Sequence, residues 1–219
     1  MGIFQAGRRR MKSKQTLDPR EVAVTAVMTA LTAVVTYFTG SLFPFPITGG
    51  YLNLGDALVM LSGLLFGARV GGFAGGVGSA LSDAILAPYY APLTLFIKGT
   101  EGYLAGLIGN DRKLSRRIAG VVAGACAMLA GYFSVETPLI NMGAALGELI
   151  TINWIQVTIG GVVAILLAQG VVRAYPNIEF LKPKAARIRA GILMVIVAIV
   201  VLGSIVGVYL LTGAQRFFT

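Results

Sequence analysis

The pattern that decides the fold is clearest in residues 93–133, LTLFIKGTEGYLAGLIGNDRKLSRRIAGVVAGACAMLAGYF. Two apolar segments, residues 93–108 and 118–133, flank a short polar stretch, residues 110–117, which carries four basic side chains. A helix that crosses the hydrocarbon core of a bilayer needs about 20 mostly apolar residues. The pattern therefore predicts two membrane-spanning helices joined by a loop at the membrane surface.

The composition of the whole chain points to the same class of protein. Of the 219 residues, 56% are hydrophobic and only 12% are charged, whereas a soluble domain carries about 25% charged residues. The net charge of +9 would suggest nucleic acid as the partner of a soluble protein. Here the basic residues lie between apolar spans, so we expect no such partner. With one cysteine and no histidine, the chain can form neither an internal disulfide nor a Cys/His metal centre.

Seven apolar segments predict an all-α membrane protein folded as a compact bundle of helices. Their boundaries are residues 22–38, 54–66, 70–87, 93–108, 118–133, 151–172 and 190–211. Asp18 and Pro19 give the first span a plausible N-terminal cap. The loop over residues 39–53 is rich in glycine and proline, and residues 134–150 are less apolar than the spans on either side.

The basic residues predict the orientation of these spans. Cytoplasmic loops carry an excess of lysine and arginine, and with a cytoplasmic N-terminus only Lys98 and Arg216 fall outside the cytoplasmic side. An assignment with one span missing would scatter the basic residues over both sides. The asymmetry therefore supports seven spans, with residues 1–20 as a basic cytoplasmic segment and residues 175–189 as a basic cytoplasmic loop.

Ionisable residues inside the predicted spans are the first candidates for function. They are Asp83, Lys98, Glu101 and Glu148, and such residues are costly to place in a bilayer. Lys98 and Glu101 are three residues apart, so they share one helix face. Two interpretations stay open: an ion pair that only holds two helices together, or charged groups that face a substrate cavity in the outer half of the bundle.

Polar and aromatic residues crowd the same outer half. Aromatic rings can stack on a flat heterocycle, and amides or carboxylates can bind its hydrogen-bonding edge. For the aromatic residues, the alternative is a belt at the lipid headgroups. We predict that the substrate is bound by Tyr51, Asn53, Asp83, Tyr90, Lys98, Glu101, Asn153 and Trp154.

A pair of small residues marks the first span. Ala26 and Ala30 are four residues apart, and small residues at this spacing let two helices approach closely in lipid. Similar glycine pairs recur in other spans, where they pack the bundle internally. The first-span pair can either do the same or face a partner subunit. No phosphate-binding loop, nucleophile–base pair or HExxH motif is present, so we expect neither an enzyme nor a bound cofactor.

The first half of the chain resembles a known family. The residues that carry the resemblance are 50–57 (GYLNLGDA), 65–67 (LFG), 71–83 (GGFAGGVGSALSD) and 91–102 (APLTLFIKGTEG). This spaced pattern looks like the substrate-binding S component of energy-coupling factor (ECF) vitamin transporters, and it is most similar to the riboflavin-transporter-like branch. The match is dense over residues 50–110 and loose elsewhere. It identifies the family and not the vitamin.

The resemblance implies a six-helix core, here residues 21–174, that binds a vitamin or its precursor from outside and hydrolyses no ATP. S components dock on a membrane coupling subunit that sits on two cytoplasmic ATPases, and they topple in the membrane to release the ligand. The loop after the first helix closes over the ligand. By position, the resemblance implies docking through Ala26 and Ala30, and ligand contacts from Asn53, Lys98, Glu101, Asn153 and Trp154.

The expectation from the sequence is therefore a multi-pass protein of the prokaryotic cell membrane that captures riboflavin, a thiamine precursor or a pyridoxine-like compound. The segment at residues 190–219, with its seventh span, departs from the six-helix pattern. One alternative is a stand-alone secondary transporter in which Asp83, Lys98 and Glu101 relay protons or ions. A second is an accessory membrane protein without a ligand.

Overall fold

A computed structural model of the chain, which describes residues 18–45 and 49–177, shows a bundle of helices. The helices are α1 (Pro19–Leu42), α2 (Asp56–Phe66), α3 (Ala68–Leu86), α4 (Ala91–Gly109), α5 (Leu114–Leu139) and α6 (Met142–Ala174). A short antiparallel hairpin, β1 (Pro44–Phe45) and β2 (Gly50–Tyr51), lies between α1 and α2. A π-helical turn, Leu149–Asn153, interrupts α6.

Local sequence signals set the ends of these helices. The Asp18 carboxylate accepts a hydrogen bond from the Arg20 N–H at 3.0 Å, and Pro19 occupies the first turn of α1. Gly67 alone separates α2 from α3, and its φ of 94° is a backbone conformation that favours glycine. Short connections make successive helices antiparallel. The hairpin therefore shares one end of the bundle, the hairpin end, with the C-termini of α1, α3 and α5.

The structure confirms the all-α membrane class, with six helices among the residues that it describes. Helices α1, α5 and α6 are each long and apolar enough to cross a membrane, whereas α2 is apolar but has only 11 residues. Two predicted boundaries are wrong, because α5 continues to Leu139 and α6 begins at Met142. Glu136, Thr137 and Glu148 in the stretch 134–150 are buried, so their polarity does not mark the end of a span. The predicted seventh span, residues 190–211, lies outside the described residues.

Large apolar side chains cover the outside of the bundle, while ionisable groups lie inside it. Leu42 is 70% exposed, Ile85 69% and Phe96 73%. Asp56 and Lys98, by contrast, are at most 1% exposed. This arrangement reverses that of a water-soluble protein. It is the arrangement expected in lipid, where polar side chains turn towards the interior of the bundle.

Basic residues gather at the end of the bundle opposite the hairpin. They lie at the start of α1 and α3, in the loop between α4 and α5, in the first turn of α5 and at the end of α6. These residues are Arg20, Arg69, Arg112, Lys113, Arg116, Arg117 and Arg173. Over residues 18–45 and 49–177, Lys98 is the one basic residue placed elsewhere. The bundle therefore has a basic end and a hairpin end.

Glycines allow α2, α3 and α4 to pack backbone against backbone. A Cβ atom added at Gly102 of α4 would lie 2.6 Å from the carbonyl carbon of Gly71 in α3. A Cβ added at Gly63 of α2 would lie 2.6 Å from the Gly106 nitrogen. Such distances are shorter than real Cβ contacts, so no side chain fits here. Close approach of small residues is a main source of helix association in lipid.

We expect Gly102→Ala to lower the thermal unfolding midpoint of the detergent-solubilised protein, at a cost of about 1–3 kcal/mol from overpacking. Gly170→Ala in α6 is the matched control, because a Cβ added there has no neighbour within 4 Å. The control should be neutral or stabilising by roughly 0.5–1 kcal/mol. Equal midpoints for the two variants would show that α3 and α4 do not pack as closely as described.

Candidate ligand-binding site

Polar side chains from the hairpin and four helices enclose a small cavity near the hairpin end. Its volume is about 30 Å³, which is room for about one water molecule. The lining residues are Gly50, Tyr51, Asn53, Asp83, Tyr90, Lys98, Tyr132, Glu136, Glu148, Asn153 and Gln156. Buried polar groups carry a desolvation cost unless they are paired, so this concentration indicates a site rather than a packed core.

A buried ion cluster lies beside the cavity. Lys98 Nζ lies 2.5 Å from Asp56 Oδ1 and 3.1 Å from Glu101 Oε2, and each side chain is at most 1% exposed. Asp56 is in the first turn of α2, so the cluster joins α2 to α4. The ammonium also lies 5.5 Å from the centroid of the Tyr132 ring, within range of a cation–π contact.

Tyr51 closes the cavity on the side of the hairpin. Its hydroxyl donates a hydrogen bond to the Asp83 carboxylate. Burial raises the pKa of the Tyr51 phenol above its usual value, and the Asp83 charge raises it further, so the phenol remains a donor. A wider cleft of about 370 Å³ adjoins Tyr51, and it is lined by the end of α1, the hairpin and Leu86. Tyr51 and Gly50 line both spaces.

The segment after the hairpin is anchored to α6. The Asn53 N–H donates to Gln156 Oε1 at 2.9 Å, and Asn53 Oδ1 accepts from the Gly55 N–H at 2.8 Å. Asn53 and Gln156 are 5% and 3% exposed. The hairpin region is therefore tied to α3 through Tyr51 and to α6 through Asn53.

The π-helical turn determines which face of α6 meets the cavity. Glu148 precedes this turn and Asn153 is its last residue, and both line the cavity. At 3.6 residues per turn, a regular α-helix would separate these two side chains by about 140° around its axis. The wider π turn rotates less per residue and brings them to the same side. Single π turns in helices occur frequently at functional sites.

Helix α5 supplies the opposite wall. The Tyr132 hydroxyl and Thr94 Oγ1 lie 2.9 Å apart and form a hydrogen bond between α5 and α4. Glu136, one turn further along α5, is 1% exposed and lines the same cavity as Glu148. Helix α5 therefore contributes both an aromatic ring and a carboxyl group to the lining.

The structure brings six of the eight predicted site residues together around the cavity: Tyr51, Asn53, Asp83, Tyr90, Lys98 and Asn153. Their role in ligand binding stays a prediction. Two positions need correction. Glu101 lies behind Lys98 as its ion-pair partner. Trp154 is 53% exposed on the outer face of α6, because it lies about 100° around the helix from Asn153.

The predicted binding set left out Tyr132, Glu136, Glu148 and Gln156, which line the cavity, and the pairing of Asp56 with Lys98 was not predicted. Glu148 carried a signal, since an ionisable residue in a span is costly. Glu136 was hidden because the fifth span was ended before it. No spacing rule links Asp56 to Lys98, which lie on different helices.

Ala26 and Ala30 are both exposed on α1. They lie on the outer surface with Val22, Val27 and Val34, which are 50%, 57% and 51% exposed. The pair therefore does not pack against another described helix. The described helices therefore do not account for the pair by internal packing, and docking to a partner stays a prediction.

Comparison with known proteins identifies the family. The family model described as "ECF-type riboflavin transporter, S component" matches residues 16–173. The chain belongs to this family. The match covers all six described helices except Ala174, the last residue of α6. It confirms the resemblance seen in the sequence and makes the chain a membrane transport subunit, which is not an enzyme class.

Two known proteins are similar to this chain over part or most of their length. The thiamine precursor transporter HmpT of Lactococcus lactis subsp. cremoris (strain MG1363) is 33% identical over 162 residues, which cover 72% of this chain and 91% of that protein. The "Uncharacterized protein in gap 3'region" of Pyrococcus woesei is 48% identical over 106 residues, covering 48% of this chain and 72% of that protein. The family model and HmpT carry different substrates in their names, so family membership supports vitamin uptake without naming the vitamin.

We expect Lys98→Met to destabilise this S component by about 3–5 kcal/mol, because it leaves two buried acids without their cation. Adding Asp56→Leu should recover part of the loss, since it removes one of those acids. Arg116→Met is the control: Arg116 lies 3.6 Å from Asp111 in a partly exposed pair, and such pairs contribute roughly 0–1 kcal/mol. Unfolding in detergent measures all three. Equal losses for Lys98→Met and Arg116→Met would contradict the buried cluster.

Proposed function

We propose that this chain is the substrate-binding subunit of an ECF-type importer, and that it captures a vitamin or vitamin precursor for transport. The observation that carries the proposal is the enclosed polar cavity at the hairpin end of an otherwise apolar-coated bundle. A helical bundle in lipid gains nothing from eleven lining residues that are mostly polar, unless they bind something. Family membership supports the same conclusion.

The lining suits a small planar ring with polar edges. Tyr51, Tyr90 and Tyr132 present aromatic surface, and Asn153 and Gln156 present amides. Concave sites with aromatic walls and a few convergent polar groups are typical of small-molecule binding. Riboflavin, a thiamine precursor and a pyridoxine-like compound all have this combination of a flat ring and hydrogen-bonding edges.

Entry of such a ligand requires Tyr51 to move. A cavity of about 30 Å³ is smaller than any vitamin, but Tyr51 and Gly50 also line a neighbouring cleft of about 370 Å³. If the Tyr51–Asp83 hydrogen bond breaks, the two spaces become continuous. The loop after the first helix would then act as the cover that the family resemblance implies.

The proposal includes an orientation and partners. The basic end of the bundle faces the cytoplasm of a prokaryotic cell, by the positive-inside rule, which puts the cavity on the external side. Residues 1–20 and 175–189 then lie on the cytoplasmic side. The exposed face of α1 at Ala26 and Ala30 docks on a membrane coupling subunit, and two separate ATPases supply the energy.

The purified chain should carry a stoichiometric vitamin-like ligand, identified by mass spectrometry of the detergent-solubilised protein. We expect Asn153→Ala to weaken its binding about ten-fold, because one hydrogen bond to the ligand is lost. Trp154→Ala, next along the chain but exposed on the outer face, should leave affinity unchanged. Uptake driven by a proton gradient in cells without any ECF ATPase would instead support the stand-alone transporter.

Docking can be tested separately from ligand binding. We expect Ala26→Leu and Ala30→Leu to abolish co-purification with the coupling subunit. Small residues permit close contact between helices, and the larger leucine side chains would hold the two helices apart. Ligand affinity should not change, because α1 presents this face away from the cavity. Ala119→Leu, at an exposed position on α5, is the matched control. Retained complex formation with both α1 variants would place the docking surface elsewhere.

A further inference from the structure

An arginine is buried at the basic end of the bundle. Arg117 lies in the first turn of α5 and is only 2% exposed. The positive-inside rule accounts for basic residues at a membrane surface, but the charged ends of such side chains normally reach water. Burial of a guanidinium group is costly unless its charge is compensated. Topology alone therefore does not explain the position of this residue.

The protein compensates the Arg117 guanidinium only in part. Its Nε donates a hydrogen bond to the backbone carbonyl oxygen of Asp111 at 2.7 Å. Its Nη1 is buried and has no hydrogen-bond partner within residues 18–45 and 49–177. The Asp111 carboxylate lies instead 3.6 Å from Arg116, and none of the described carboxylates forms an ion pair with Arg117. Unsatisfied buried polar atoms are rare in folded proteins, and each needs a cause.

The surroundings of this guanidinium attract an anion. Residues 110–117 carry four basic side chains and one acid. Lys113 is the N-cap of α5, and no side chain caps this helix end. The N–H groups and the dipole of a helix N-terminus favour a negative charge. Because the Arg117 Nε bonds to the loop that precedes this N-terminus, the guanidinium and the helix end act on the same space.

The depth of the site in the membrane identifies the kind of anion. Helix α5 is long and apolar enough to cross a membrane, and its first turn therefore lies near the membrane surface. Only four residues, 110–113, connect α4 to α5, and at about 3.5 Å per residue they cannot rise far above that surface. Lipid headgroups supply the anions at this level, and basic pockets at the ends of membrane helices bind them.

We propose that Arg117 and the N-terminus of α5 form a binding site for the phosphate group of an anionic lipid. Nη1 of Arg117 donates to a phosphate oxygen, and the exposed Lys113 adds positive charge from the loop. The loop has to shift for the phosphate to reach Nη1, and the partly exposed Asp111–Arg116 pair resists this only weakly. The site lies at the end of the bundle opposite the cavity, so the inference goes beyond the proposed function and concerns a different ligand.

Native mass spectrometry of the full-length protein in a neutral detergent tests the lipid site. The probes are phosphatidylglycerol and phosphatidylcholine with identical acyl chains, because both have a phosphate but only phosphatidylglycerol carries a net negative charge. We expect one phosphatidylglycerol per chain, bound about ten-fold more tightly than phosphatidylcholine. The same lipid should raise the thermal unfolding midpoint, since it binds the folded state. Equal affinity for the two lipids overturns the proposal.

Variants then assign the lipid preference to this site. Arg117→Gln should remove the roughly ten-fold preference for phosphatidylglycerol. Arg20→Gln is the matched control, because it removes the same charge at an exposed position of α1 on the same end of the bundle. If Arg117→Gln does not fold, Lys113→Gln takes its place, with an expected loss of about five-fold. A loss no larger than that of Arg20→Gln would indicate general attraction to a basic surface and overturns the site.

Inorganic phosphate distinguishes a lipid from a soluble phosphate compound. The lipid assignment fails if inorganic phosphate raises the unfolding midpoint of the wild type while phosphatidylglycerol and phosphatidylcholine bind equally. Affinity for the vitamin-like ligand is measured in the same variants and should equal that of the wild type, because the cavity lies at the other end of the bundle. Failure of the lipid site therefore leaves the proposed function standing, and the absence of any co-purified small molecule leaves the lipid site standing.

Discussion

The rest of the structure depends on the buried contact of Lys98 with Asp56 and Glu101. A lone ammonium inside a bundle surrounded by lipid would be prohibitively costly, so its partners must be close and fixed. The 2.5 Å contact to Asp56 ties the start of α2 to the middle of α4. Asp56 and Glu101 do not line the cavity, whereas Lys98 does. The ammonium of Lys98 is therefore paired with carboxylates outside the lining.

This constraint explains why the helices must pack so closely. An ion cluster is stable inside the bundle only if lipid and water are kept away from it, and gaps between helices would admit both. Glycines in α2, α3 and α4 remove the side chains that would hold these helices apart. The glycines and the buried charges therefore depend on each other. Close backbone contact between α2, α3 and α4 keeps lipid and water away from the ion cluster that joins α2 and α4.

The sequence predicted the parts of this arrangement that follow from local periodicity. It placed most spans within a few residues and identified Lys98, Asp83, Asn53 and Tyr51 as costly or unusual at their depth. It could not predict that Asp56 pairs with Lys98, because that contact joins two helices far apart in the chain. It also included Trp154 in the binding set and left Glu148 out, whereas the π turn places Glu148 beside Asn153 at the cavity. A π turn rotates the side chains before it around the helix axis relative to those after it. The residue types in the turn do not predict this change of helix type.

The same π turn connects the shape of the site to the segment that covers it. The residues after the hairpin are held by Gln156 on α6, just beyond the turn, while Tyr51 is held by Asp83 on α3. A ligand bound at Asn153, as proposed, would therefore contact the helix that anchors the segment after the hairpin. Rearrangement of either anchor changes the access route and the lining together, because Tyr51 is at once the wall of the cavity and the boundary of the outer cleft. In the proposed function, capture and closure therefore depend on one set of contacts.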